Sequence, residues 1–247
     1  MSGAVVIVGA TSGIGRALVR ACGEEGRGVV LAGRDLEALE RVAADCRVRF
    51  GVPARVVRFD ALDFADHAAF AERAGKGFGD GVEGFVACHG EMPEEAESRC
   101  DPAVLRRMVE VNYTSMVSLL ERAAEQLLPR GRGFLCAVTS VAGERGRPRN
   151  HVYGSTKSAV GAYLQGLRAR LAKSGVSVVD VRPGVVDTAM TWGLPGLPRQ
   201  ASPERVARDV LRGIARDAAV VYTPWVWRIV MAIIRAIPDR VFKRIDL

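Results

Sequence analysis

Short apolar runs alternate with longer amphipathic stretches along nearly the whole chain. Residues 4–8 (AVVIV) are apolar and β-branched and break at a glycine-rich turn, after which apolar positions recur at helical spacing. Residues 28–32 (GVVLA) repeat the pattern, and the stretch GRDLEALERVAADC begins a second helix. Further apolar runs at 54–63, 82–90, 133–140 and 176–184 read as strands. Residues 91–103 form a polar, acidic loop, an amphipathic helix carrying Asn112 is predicted over 102–128, and another helix over 152–172. Strand and helix alternate without internal repeats, low-complexity segments or a linker. That alternation predicts an α/β fold, a doubly wound parallel sheet with helices on both faces, in a single domain over 1–247.

Composition sets limits. A chain of 247 residues can bury a substantial core, and 49% hydrophobic with 26% charged residues is ordinary for a globular enzyme. The first residues run straight into a strand, without a basic leader or long apolar segment, so a cytoplasmic protein is expected. The five cysteines (Cys22, Cys46, Cys88, Cys100, Cys136) are odd in number and show no paired spacing; free thiols are expected, with no metal site. The net charge of +7 comes with no nucleic-acid motif, so no nucleic-acid partner is expected.

The first turn carries chemistry. In GATSGIG, Gly9, Gly13 and Gly15 follow a strand and open a helix. They allow a tight turn, close backbone approach to a pyrophosphate and close helix–strand packing, the Rossmann-type arrangement. Amides at the helix start then face the anion. After the second strand, where a carboxylate would accept from both ribose hydroxyls, the chain has Gly33 and Arg34. A guanidinium there can bind a 2′-phosphate, which points to NADP(H); NAD(H) is the alternative, because Asp35 is adjacent. Asp60, at the end of the third strand, is placed to meet the adenine edge.

Tyr153 and Lys157 are four apart and share one face of the predicted helix. An ammonium beside a phenol favours the phenolate, lowering its pKa from the usual ~10. Tyr153 could then exchange a proton with a carbonyl or alcohol oxygen. Ser140, ending the run GFLCAVTS, could hydrogen-bond the same oxygen. Taken alone, YxxxK suits a surface pair on an ordinary helix equally well.

The loop from Gly9 to Gly15, Asp60, Asn112, Ser140, Tyr153, Lys157 and the stretch RPGVVDT occur in this order, and with them the chain resembles the short-chain dehydrogenase/reductase family over essentially its full length. The resemblance implies an NAD(P)-dependent oxidoreductase that interconverts a ketone and a secondary alcohol. Tyr153 would be the general acid for reduction and the general base for the reverse. Ser140 would polarise the carbonyl, Lys157 would lower the tyrosine pKa and bond the nicotinamide ribose, and Asn112 would hold a water linking Lys157 to solvent. Cofactor contacts are implied for Thr11, Ser12, Ile14, Ala61, Pro183, Gly184, Val186 and Thr188, the last to the nicotinamide carboxamide. Family members are commonly built on the helices carrying Asn112 and Tyr153, so a homodimer or homotetramer is implied. One departure is plain: the family's NNAG reads Ala87-Cys88-His89-Gly90, without the asparagine that helps brace the central sheet.

Four segments (FDALDFADH, VNYTSMVSL, AGERGRPRNHVYGSTKSAV and TPWVWRIVMAIIRAIPDRVFKRI) carry a narrower likeness, to the reductase subunit of the decaprenylphosphoryl-ribose 2-epimerase system. It implies a lipid-linked ketone substrate, a keto-pentose on a polyprenyl phosphate, and a flavin oxidase partner. Another lipid ketone, such as a keto-sphingoid base or long-chain acyl compound, is the rival reading; a non-catalytic cofactor-binding protein is the third. Arg145, Arg147 and Arg149, with His151 beside them, lie between Ser140 and Tyr153, where charge-assisted bonds could hold a phosphate. Residues 188–205 are rich in Gly and Pro and read as a substrate lid, with Met190, Trp192 and Leu194 as an apolar wall. In the tail (223–247), Thr223 and Pro224 read as the N-cap and first residue of a helix that stops at Pro238. Its apolar body of about 13 residues is too short to span a bilayer. Trp225, Trp227 and the basic Arg228, Arg235, Arg240, Lys243 and Arg244 suit a helix lying on the inner face of a membrane, with packing on the substrate pocket or a neighbouring subunit as the alternative.

Overall fold

A computed structural model describes residues 3–79, 81–193 and 200–245. In chain order the elements are β1 (Ala4–Val8), α1 (Gly13–Glu24), β2 (Val29–Gly33), α2 (Leu36–Phe50), β3 (Ala54–Arg58), α3 (His67–Gly75), β4 (Val82–Ala87), α4 (Glu95–Cys100), α5 (Pro102–Val109), α6 (Ser115–Leu127), β5 (Gly133–Val138), α7 (His151–Leu171), β6 (Val176–Pro183), α8 (Pro203–Ala215), β7 (Val220–Thr223), α9 (Val226–Ala236) and α10 (Asp239–Phe242). The seven strands form one parallel sheet in the order β3-β2-β1-β4-β5-β6-β7. This is the doubly wound Rossmann-type fold that the alternating pattern predicts.

β1, β2 and β5 read as unbroken apolar runs because both faces of the sheet are covered. Side chains alternate across a strand, so Val5 and Ile7 of β1 join a core with Leu18 of α1 and Val210 of α8. Ala4, Val6 and Val8 join the opposite core, with Phe70 of α3, Leu119 of α6 and Leu164 of α7. The strands also stop earlier than the apolar runs suggest: β3 ends at Arg58, β4 at Ala87 and β5 at Val138. Asp60, His89 and Ser140 therefore stand on loops just beyond strand C-termini, where open parallel sheets bind ligands.

Three local expectations need correction. The helix predicted over 102–128 is broken by a π-helical turn, Glu110–Thr114, that carries Asn112 between α5 and α6. Such turns are frequent at functional sites. The acidic loop contains a short helix, α4. Thr223 does not cap a helix: it ends β7, paired with Pro183, and its hydroxyl donates to Asp209 Oδ2 at 2.8 Å. The Thr223–Pro224 peptide is cis, and α9 starts at Val226.

Candidate active site

Two adjoining cavities lie over the C-terminal edge of the sheet. The first, of about 350 Å³, runs along the glycine loop past Gly33, Arg34, Asp60, Ala61 and Leu62. The second, of about 180 Å³, holds Ser140, Tyr153 and Lys157. Ile14, Cys88, His89, Gly90, Thr188 and Met190 border both, so the two are continuous.

The first cavity fits a dinucleotide. Gly9 has φ +86°, a conformation that favours glycine, and a methyl group there would meet His89 N at 2.8 Å. Gly15 packs so tightly on the Gly9 carbonyl that no side chain fits, which brings the start of α1 onto the loop. Ser12 caps that helix, its Oγ accepting from Gly15 N at 3.0 Å, while Thr11, Ser12, Gly13 and Ile14 face the cavity. Asp35 is turned away: its Oδ1 accepts from Ala38 N at 2.9 Å as the N-cap of α2. Arg34 is exposed at the cavity mouth, with no ion pair among the described residues. Pro183, Gly184, Val186 and Thr188 line the second cavity, and Thr188 leans over the glycine loop, its Cγ2 2.9 Å from where a Gly13 Cβ would be.

Ser140 and Tyr153 meet because the loop after β5 packs backbone-to-backbone on α7. A methyl group on Gly143 would lie 2.7 Å from Ser158 N, and one on Gly154 would lie 2.7 Å from Ala142 O. The tyrosine and lysine, 8% and 4% exposed, are both sealed into the pocket. Burial pushes the Tyr153 phenol up to about 12, and a hydrogen bond with Ser140 acts against it. Burial pulls the Lys157 ammonium down to about 8, opposed by Cys88 and Asp180. Lys157 Nζ lies 5.7 Å from the tyrosine ring centroid and donates to Val138 O at 3.3 Å. In this geometry burial is the larger influence on the phenol.

Asn112 is fully buried and acts as a bracket. Its Oδ1 accepts from Glu91 N at 2.8 Å, and its Nδ2 donates to Glu91 O at 2.8 Å and to Thr156 Oγ1 at 3.3 Å. Only the bare backbone of Gly90 separates it from Lys157: a methyl there would lie 3.0 Å from Asn112 Oδ1 and 3.3 Å from Lys157 Nζ. The absent family asparagine has a substitute. Cys88 Sγ donates to Val8 O at 2.9 Å and ties β4 to β1. His89 Nε2 donates to Ser115 Oγ at 2.8 Å, since that hydroxyl donates in turn to Val111 O at 2.7 Å. Burial drives His89 down to about 3, so the ring is neutral.

The substrate residues divide. Arg147 and Met190 line the catalytic pocket. Arg145 does not: it donates to Ile234 O at 3.1 Å, Arg235 O at 2.9 Å, Ile237 O at 2.7 Å and Asp239 Oδ1 at 2.6 Å. It lies 4.1 Å from the Phe242 ring centroid and caps carbonyls at the end of α9. His151 pairs with Glu95 at 2.8 Å on the surface, outside the pocket. Trp192, 85% exposed, stands in solvent rather than forming a wall. Leu194 and the rest of the lid from 194 to 199 lie outside the described residues. Met92 and Asn150 line the pocket without having been singled out in the sequence, and Trp227, whose indole lies against Gly184, bears out the alternative in which the C-terminal helix packs on the substrate pocket.

A glycine-loop cleft continuous with a buried Ser–Tyr–Lys pocket defines an NAD(P)-dependent oxidoreductase. The family model described as short chain dehydrogenase matches residues 3–195, and the chain belongs to the short-chain dehydrogenase/reductase family. An uncharacterized oxidoreductase of Mycobacterium tuberculosis is 34% identical over 240 residues, covering 97% of this chain and 96% of that protein. A short-chain dehydrogenase from Sphingobium yanoikuyae in complex with NADPH superposes with a TM-score of 0.80 at 25% identity, over 96% of this chain and 97% of that one. An alcohol dehydrogenase from Thermococcus sibiricus complexed with 5-hydroxy-NADP gives 0.79 at 27% identity, over 90% and 95%. The mycobacterial relative's name gives an oxidoreductase and no substrate; the likeness to the epimerase reductase subunit rests on sequence segments alone.

Proposed function

We propose that this enzyme is an NADP(H)-dependent ketoreductase for a lipid-linked ketone, most specifically a polyprenyl-phosphate keto-pentose. The observation that carries the reaction is Ser140, Tyr153 and Lys157 lining one pocket that is continuous with the dinucleotide cleft. The bound nicotinamide supplies the hydride. Tyr153, held protonated by burial, donates its proton to the carbonyl oxygen, and the Ser140 hydroxyl orients that oxygen. Lys157, protonated below about pH 8, is placed to hold the nicotinamide ribose. Lys157, linked to solvent by a water at Asn112, would reprotonate the tyrosine; the closeness of Asn112 Oδ1 and Lys157 Nζ across Gly90 supports this. Preference for NADP(H) is supported by Arg34 at the cleft mouth, by Asp35 being spent on a helix cap, and by the cofactors in the two structural neighbours.

The lipid reading is supported by α9. Trp225, Ile229 and Ile233, one helical turn apart, are 63%, 50% and 62% exposed, while Trp227 of the same helix lines the catalytic pocket. Exposed Arg228, Arg240, Lys243 and Arg244 flank this apolar row and complement an anionic membrane surface. No helix among the described residues is long and apolar enough to cross a membrane, so the contact would be peripheral. A ketone on such a carrier requires a prior oxidation, the place for a flavin oxidase partner. Leu105 and Val109, exposed on α5, are candidates for a homodimer or homotetramer contact.

NADPH consumption with a panel of ketones tests this reading. Greatest kcat/KM on a ketone carried by a polyprenyl phosphate, with flotation of the enzyme on phosphatidylglycerol vesicles, is the expected result. Greater kcat/KM on a long-chain ketone without phosphate would replace the substrate, and no turnover of any ketone would overturn the reading.

A further inference from the structure

The arginines around the catalytic pocket differ in one respect. Arg145 is saturated by the end of α9, and Arg182, behind the pocket, is paired with Asp180 at 2.7 Å and Glu144 at 3.7 Å. Arg147 lines the pocket beside Ser140, Asn150, Tyr153 and Trp227, and its Nε is out of contact with solvent and has no partner among the described residues. No carboxylate or carbonyl among the described residues accepts from its guanidinium. Burial lowers its pKa, with no anion acting the other way.

A cation withdrawn from water without a counter-ion is costly, and the cost is relieved when the partner arrives with a ligand. The described lining of the pocket supplies no such partner. No Asp or Glu among the described residues lines it, and its other cation, Lys157, donates to Val138 O. Asn150 also has an unused amide, since it occupies the N-cap of α7 without making the side-chain bond. The α7 N-terminus itself is already served: Glu95 Oε1 accepts from Val152 N at 3.3 Å. Arg147 and Asn150 are what remains to receive an anion.

We infer that Arg147, with Asn150 beside it, binds an oxyanion carried by the substrate itself, a phosphate ester or a carboxylate, so that the enzyme selects anionic ketones over neutral ones of the same size. This rests on the ketoreductase reading of the pocket. Because Arg147 and Tyr153 share one small cavity, the anion lies only a few bonds from the reacting carbonyl. A guanidinium suits the task, as its planar fork grips two oxygens of one group and fixes the orientation of the ketone.

Two readouts test it. First, protein saturated with NADP⁺, so that the cofactor's own phosphate sites are filled, is titrated with inorganic phosphate and with acetate. Wild type is expected to bind at least one of them, and Arg147→Met to weaken that binding about tenfold or more, with Arg147→Lys in between. Second, paired ketones are compared with NADPH: hydroxyacetone phosphate with hydroxyacetone, and levulinate with its methyl ester. The anionic partner should show a KM lower by about tenfold or more in wild type, and Arg147→Met should erase that difference mainly through KM rather than kcat. The pair with the larger effect distinguishes a phosphate from a carboxylate. Equal binding of both anions by wild type and Arg147→Met, or no anion preference in wild type, would overturn the inference. NADPH binding by Arg147→Met shows that the variant is folded, and Asn150→Ala provides a second, milder lesion. If no ketone is reduced at all, the ketoreductase reading fails, while the anion titration still decides the role of Arg147.

Discussion

Trp227 lies with its indole against Gly184, in the space a Cβ would occupy at the end of β6. The C-terminal helix is therefore a wall of the catalytic pocket. Arg145, from the loop after Ser140, holds the far end of the same helix. Replacing Trp227 with alanine should open the pocket, raise KM for bulky apolar ketones several-fold and cost about 2 kcal/mol of stability for a half-buried aromatic. NADPH affinity should change less than KM, because Trp227 lines the catalytic pocket and not the glycine-loop cavity. Steady-state kinetics beside thermal melts check this; loss of NADPH binding instead would mean that the helix supports the cofactor cleft.

Arg34 should set cofactor choice. Arg34→Ala is expected to weaken NADPH binding by about 10- to 100-fold, the worth of a charge-assisted phosphate contact, and to leave NADH binding nearly unchanged. Isothermal titration with both cofactors decides. Parallel losses would show that Arg34 only stacks on the adenine.

Lys157 makes a pH-dependent demand on stability. Its folded pKa, about 8, lies below the ordinary 10.5. Between these values the unfolded chain binds more protons than the native one, so stability rises with pH across that window, and the cost is fully present below pH 8. Lys157→Met should therefore be more stable than wild type at pH 7, by on the order of 3 kcal/mol, with the gap closing towards pH 10. Tyr153, pushed from 10 to about 12, acts in the opposite sense only above that range. Denaturant unfolding at pH 7, 8, 9 and 10 measures it. A variant less stable than wild type at pH 7 would contradict this account of an ammonium whose burial outweighs its compensation. For catalysis by wild type, kcat/KM for reduction should fall as pH rises through about 8, where the free enzyme loses the lysine charge.

The sheet and the meeting of Ser140, Tyr153 and Lys157 in one pocket were legible because their signals are local. Strands covered on both faces read as apolar throughout, as β1 and β2 do, and Tyr153 and Lys157 share a helix face by spacing alone. What was hidden depends on packing. Arg145 and Arg147 are the same residue type two positions apart in one loop, and only the docking of α9 determines which is consumed and which faces the pocket. Trp225 and Trp227 look equivalent in sequence, yet two steps on a helix put them on nearly opposite sides, one in solvent and one over Gly184. The π-turn at Asn112 and the four-residue β7 leave no periodic trace. The brace from Cys88 to Val8 is a tertiary contact that a departure from the family motif could flag but not describe.

The most direct test is NADPH oxidation by wild type and Tyr153→Phe on a ketone that wild type reduces, with NADPH affinity measured on both. The phenol is the only proton donor assigned to the carbonyl oxygen. The variant should therefore bind NADPH with near-normal affinity and lose about 10³-fold or more in kcat. Turnover by Tyr153→Phe close to that of wild type would contradict the assignment, and with it the proposed mechanism.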